Sequence, residues 1–261
     1  DALVGAAGAI ALAVEEDGLH FLIQELGSGT SAKAAAHVRV AAAALIETLC
    51  ANCAHDLSTY HTSLIGNLIG MFHADEPPVL RAALRGLDAL VKSLPKERHA
   101  LLVTTIRTSI ADVSAEYRAA QLAAGMSHNE PSLLPALCEK SGLASLVAVY
   151  LQGLMTGTPE LREQSAAALG EAVNVTSPAA LKPFVIQITG PLIRIVGDRF
   201  PWQVKAAILQ TLTLLIAKGS ILLKPFVPQL QTTFVKALSD PTKLVRTRGA
   251  TALTRLISLA T

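Results

Sequence analysis

Six times along this chain an aliphatic or aromatic residue is followed by a basic one near the head of an apolar, alanine-rich stretch. The pairs are Val38-Arg39, Leu80-Arg81, Tyr117-Arg118, Leu161-Arg162, Val204-Lys205 and Val245-Arg246. Their basic residues stand 42, 37, 44, 43 and 41 positions apart. A period near forty belongs to two-helix repeats, which have no core of their own and bury their apolar faces by stacking. This feature restricts the chain to a stacked helical array.

The intervals agree. In "LKPFVPQLQTTFVKALSDPTKLVRTRGATALTRLISL", residues 223–238 read as a first helix, 239–242 as a turn and 243–259 as a second helix. Asp240-Pro241 is a helix start, with an acid to cap and a proline at the first helical position. The same order recurs in "IGNLIGMF-HADEPP-VLRAALRGLDALVKSL" and "LASLVAVYLQGLM-TGTPE-LREQSAAALGEAV". Composition supports helix throughout: 51% of residues are hydrophobic but only 4% aromatic, so the apolar mass is largely Ala, Leu, Val and Ile. No hairpin signature is present. The expected fold is all-α, a right-handed α-solenoid of about six HEAT-type repeats, roughly 17–54, 55–94, 95–135, 140–176, 177–219 and 220–261. The third is the least regular, and "GMSHNEPS" (125–132) is expected to be a long inter-repeat loop.

Three acids precede their anchors by six residues: Asp75 and Arg81, Asp112 and Arg118, Asp240 and Arg246. Asp198 and Lys205 repeat the arrangement with one extra residue. In such repeats these side chains are expected to form a ladder linking neighbouring units.

Chemistry-bearing motifs are few. Cys50 and Cys53 form C-A-N-C, with His55 and His61 behind, but a lone C-x-x-C near a helix end is weak evidence for zinc. No phosphate-binding glycine loop or nucleophile elbow is found, and no cofactor is expected. The sequence points away from an enzyme and towards an extended binding surface. The apolar run at 2–14 is shorter than the roughly 20 residues of a membrane span and lacks a signal peptide's basic flank. Three cysteines in 261 residues suggest a cytoplasmic setting rather than a disulfide scaffold.

Charge is more informative than its net value of +2. Residues 1–175 carry 11 basic and 18 acidic side chains, a net of −7. Residues 176–261 carry 11 basic side chains and two acids, a net of +9. Such asymmetry predicts an acidic partner or nucleic acid at the basic end. The candidate contacts are Arg194, Arg199, Lys218, Lys224, Lys236, Lys243, Arg248 and Arg255, with Trp202 beside them. Trp202, the single tryptophan, either faces solvent as a hot spot or closes its own turn. Phe200 is expected to pack inward.

The segments "ITGPLIRIVGDRF" and "LKPFVPQLQTTFVKALSD", within residues 165–246, closely resemble the large HEAT-repeat translational activators of general amino-acid control, the general control non-derepressible family. Residues 1–164 are less distinctive. The resemblance implies a non-enzymatic scaffold on translating or stalled ribosomes, working with an ATP-binding-cassette partner. It also implies contact with the RWD domain of the kinase that phosphorylates the α subunit of initiation factor 2, and a chain about a tenth of the whole scaffold with apolar ends. A different class, the tubulin-binding TOG domains, also has about six HEAT units and basic turns, but carries a tryptophan in its first unit rather than its fifth.

Overall fold

The computed structural model describes residues 2–197 and 200–260, and among them finds helices and no strand. The helices are α1 (Ala2–Leu12), α2 (Leu19–Thr30), α3 (Ala36–Asn52), α4 (His61–Gly70), α5 (Pro77–Ser93), α6 (Val103–Ala123), α7 (Pro135–Cys138), α8 (Ala144–Thr156), α9 (Pro159–Asn174), α10 (Pro178–Leu181), α11 (Val185–Ile195), α12 (Trp202–Gly219), α13 (Val227–Ala237) and α14 (Lys243–Ala260). They fall into two compact units, one of residues 1–96 and 105–145, the other of 97–104 and 146–261.

In the first unit α2/α3 and α4/α5 are successive helix pairs, and the second helices, α3 and α5, pack extensively on each other. Small residues let them approach: Ala43 on α3 lies against Gly86 on α5, whose Ala82 and Ala83 are also buried, while Ala42 faces Gly29 of α2. The first helix of the second pair adds Leu64, Ile65, Leu68 and Ile69, all buried. An ion pair, Arg85 Nε to Glu47 Oε2 at 3.1 Å, ties the outer edges of α5 and α3.

The third repeat departs from the expected hairpin. α6 runs unbroken through both Asp112 and Arg118, so the repeat expected to be the least regular has one long helix here. The cause is local. The turns before α5, α9, α12 and α14 each contain proline, whereas "VTTIRTSIADVSAEYRAAQLA" has neither Pro nor Gly. The following loop folds back on α6. Arg118 donates to the carbonyls of Glu130 and His128 at 3.0 and 2.7 Å, and Ser132 Oγ lies 2.6 Å from Gln121 Oε1. α7 then docks through Ala136 N–H to Phe72 O at 3.0 Å.

In the second unit the pairs α8/α9, α11/α12 and α13/α14 follow one another, with α12 packed against both α9 and α14. Caps match the sequence. Thr158 Oγ1 accepts from Leu161 N–H and Ser177 Oγ from Ala180 N–H, each with proline at the first helical position. The helix expected over 223–238 starts later, and the "LKPF" at 181–184 behaves alike. Lys182–Phe184 and Ser220–Phe226 form 3₁₀ turns, and the α-helices begin at Val185 and Val227. Pro183 and Pro225 have no N–H to give and disfavour helical geometry in the residue before them.

Candidate functional site: a basic surface on the C-terminal repeats

Five of the six basic anchors take one of two roles. Two reach an acid of the next repeat. Arg39 Nη2 lies 3.0 and 2.9 Å from the two carboxylate oxygens of Glu76, and Lys205 Nζ lies 2.9 Å from Asp240 Oδ2. Three hold backbone carbonyls instead. Arg162 donates to Gly157 O and Leu154 O, Arg246 to Asp240 O and Pro241 O, and Arg118 to its loop. At Asp240 and Arg246 the six-residue spacing spans a turn rather than an ion pair, whereas Asp112 and Arg118 stand on one continuous helix. Arg246 meets the main chain of Asp240 rather than its carboxylate, because that carboxylate is already engaged by Lys205. Asp75 and Arg81 are both exposed and, among the described residues, form no ion pair; the neighbouring Glu76 takes the role expected of Asp75. Asp112 is exposed on α6, and Asp198 lies outside the described residues.

Asp240 is the most constrained acid here, its side chain 8% exposed. Its Oδ1 accepts from Thr242 N–H at 2.9 Å, so it caps the turn while α14 itself starts at Lys243, two residues beyond Pro241. Burial alone would raise its pKa, but hydrogen bonds from Thr242 and Lys205, with the charge of Lys205, outweigh burial and hold it below the ordinary 3.8. A carboxylate depressed on folding contributes stability above its unfolded pKa and loses it as pH falls through the folded value. Asp240→Asn is therefore expected to lower unfolding free energy by about 1–3 kcal/mol at pH 7. The gap from wild type should close as pH drops below 3.8 in parallel denaturant titrations.

Of the residues nominated as contacts, Arg194, Lys224, Lys243 and Arg255 are exposed and Arg248 is half-buried. Lys236 is also exposed, and Lys182, at the C-cap of α10, joins them. Among the described residues Lys182, Lys224, Lys236, Lys243, Arg248 and Arg255 form no ion pair. The guanidinium of Arg194 lies 2.9 Å from Met155 Sδ. Arg199 lies outside the described residues.

Lys218 does not belong to this surface. Its ammonium donates to the carbonyls of Val173, Asn174 and Thr176 at 2.9, 2.6 and 2.8 Å, closing the C-terminus of α9. A cation at that position satisfies carbonyls that have no partner within their own helix and favours the negative end of the helix dipole.

Trp202 opens α12 and is 43% exposed, so the solvent-facing alternative is the one observed. Phe200 is half-buried rather than enclosed; its ring lies beneath the Arg162 guanidinium, 4.7 Å from centroid to Cζ.

The cysteine motif has a different character. Cys50 is buried in the last turn of α3, and burial first, with Cys53 second, pushes its thiol up to about 12. Desolvation also lowers the His61 pKa, against the opposing charge of Asp56. No group of three His, Cys, Asp or Glu side chains able to hold a metal occurs among the described residues. Likewise, no described helix is long and apolar enough to cross a membrane.

The helix pairs, their proline-marked turns and the carbonyl-capping arginines define an all-α HEAT-repeat protein of the solenoid class. Residues 202–256 match a HEAT-like repeat model, and residues 1–141 match the family described as stalled ribosome sensor GCN1-like, HEAT repeats. The chain is 41% identical over 256 residues to Protein ILITYHIA of Arabidopsis thaliana, covering 98% of this chain and 9% of that protein. It is 40% identical over 253 residues to the human stalled ribosome sensor GCN1, covering 96% and 9%. It is 34% identical over 272 residues to the eIF-2-alpha kinase activator GCN1 of Saccharomyces cerevisiae, covering 98% and 10%. The chain belongs to the GCN1-like family, and it spans about a tenth of the length of these relatives.

Proposed function

We propose that this chain is a non-enzymatic scaffold segment that helps activate the amino-acid starvation response by binding protein partners through its basic C-terminal repeats. The partners in this reading are the RWD domain of the initiation factor 2 α kinase and the ribosome. The single observation that carries it is the set of exposed cations Lys182, Lys224, Lys236, Lys243 and Arg255, which form no ion pair among the described residues, on the same repeats as the half-exposed Trp202. Unpaired surface cations steer acidic partners, and a half-exposed tryptophan supplies apolar contact area of the hot-spot kind. The names of the relatives, a stalled ribosome sensor and a kinase activator, agree with that chemistry. An ATP-binding-cassette partner and a cytoplasmic location belong to the same reading of the whole scaffold.

The test is direct binding of the purified 261-residue chain to the RWD domain, to ribosomes and to tubulin, each at low and high salt. The RWD domain or the ribosome is expected to bind, with affinity falling steeply as salt rises. Tubulin binding without either of the others contradicts the reading and selects the TOG-like alternative.

A further inference from the structure

A cleft of about 150 Å³ opens between α11, α12 and α13, with Lys205 and Asp240 among its lining groups. Thr233, Lys236, Val196 and Leu209 complete the set that matters here. We propose that this cleft is a socket for one acidic side chain, a glutamate flanked by apolar residues, presented by a partner protein. The proposal deepens the reading of this unit as a protein-binding surface and rests on it.

The polar groups are unevenly satisfied. Asp240 is fully engaged, with one oxygen on Thr242 N–H and the other on Lys205. Lys205 has three protons on Nζ, and Asp240 is its hydrogen-bond acceptor among the described residues. Its side chain is 15% exposed, so bulk water has limited access to the rest of that donor capacity. Lys236, in the last turn of α13, is exposed and has no acidic partner among the described residues. Among the described lining residues two ammonium groups accompany one carboxylate, an excess of a single positive charge that one incoming carboxylate neutralises.

Shape selects the class of ligand. Pockets for whole small molecules run to roughly 300–1,000 Å³, so this cleft admits a side chain rather than a cofactor. Val196 and Leu209 give it apolar walls suited to the methylene stem of glutamate. A nucleic-acid phosphate is held close between two sugars and has no such stem. Trp202 precedes Lys205 by three residues on α12, which places the two on neighbouring positions of one helix face. Its ring does not line the cleft but is 43% exposed one helical turn before Lys205, so its fluorescence reports on binding nearby.

The experiment titrates the 261-residue chain with acetyl-Leu-Glu-Leu-amide, its Gln counterpart and inorganic phosphate. The readouts are the Lys205 and Lys236 side-chain NMR signals and the fluorescence of Trp202, the single tryptophan. Saturable shifts with the Glu peptide are expected, with binding about tenfold weaker for the Gln peptide. Lys236→Met should abolish the difference between peptides while keeping the wild-type melting temperature. Equal binding of both peptides, phosphate binding as tight as the Glu peptide, or an unaffected Lys236→Met variant overturns the socket. A parallel arm uses the RWD domain and ribosomes. Glutamate binding without either partner supports the socket and sinks the wider reading; partner binding with no preference for glutamate removes the socket alone.

Discussion

Gly170→Val is expected to destabilise the second compact unit by about 3 kcal/mol, read as a fall in denaturant midpoint at unchanged slope. The reason lies where α9 crosses α12. A Cβ at Gly170 would stand 2.6 Å from Thr211 Oγ1, and that hydroxyl is fixed, buried and donating to Ala166 O at 2.7 Å. Helix propensity alone argues the other way, since replacing Gly with Ala in a helix interior gains about 1 kcal/mol. Two opposed terms make the sign informative. In the wild-type background Gly170→Ala is expected to lower stability by about 1 kcal/mol, because the close contact outweighs propensity. In a Thr211→Ala background the obstructing oxygen is gone, and the same change is expected to raise stability by about 0.5–1 kcal/mol. A stabilising Gly170→Ala in the wild-type background would show that the crossing is looser than described.

The second large effect is on binding. Lys224→Glu, Lys243→Glu and Arg255→Glu together change the net charge of the basic end by six units without touching a capping or ladder group. The triple variant is expected to keep the wild-type melting temperature within a degree or two, since isolated surface charges contribute little to stability. Its affinity for the RWD domain or the ribosome is expected to fall at least about tenfold at low salt, with the difference shrinking as salt is added. Lys218→Met is the contrasting control. Removing an ammonium that serves three carbonyls is expected to lower stability by about 1–2 kcal/mol. It should leave the salt dependence of binding unchanged.

The repeat architecture was legible because proline and glycine mark most of its turns. "HADEPP", "TGTPE", "GDRFPW" and "SDPT" each precede a second helix where the period places one. The same logic finds the exception at α6, whose sequence contains no breaker, in the repeat expected to be the least regular. Family resemblance was read from the distinctive words of residues 165–246, yet the family model falls on residues 1–141, the part judged less distinctive. Alanine-rich helices carry their family signal diffusely, over many weakly constrained positions, and single phrases miss it.

Side-chain roles were less legible than the fold. Spacing nominated Asp240 and Arg246 as partners, but a six-residue separation across a turn brings the guanidinium to main-chain carbonyls, and the carboxylate belongs to Lys205 of the previous repeat. Lys218 looked like surface charge because nothing local shows that a helix end 42–45 residues earlier lies within its reach. Likewise, which face Trp202 presents depends on packing set by neighbouring repeats. Local sequence supplies helices and turns; the contacts that decide a residue's role come from one period away.

The most direct measurement places this segment, wild type or carrying Lys224→Glu, Lys243→Glu and Arg255→Glu, in a full-length GCN1 relative in place of its own. The readout is phosphorylation of the initiation factor 2 α subunit during amino-acid starvation, at matched scaffold abundance. The wild-type segment is expected to restore phosphorylation, and the triple variant to leave it near the level of cells without the scaffold. Full phosphorylation with the triple variant would contradict the account, because activation would then proceed without the basic surface.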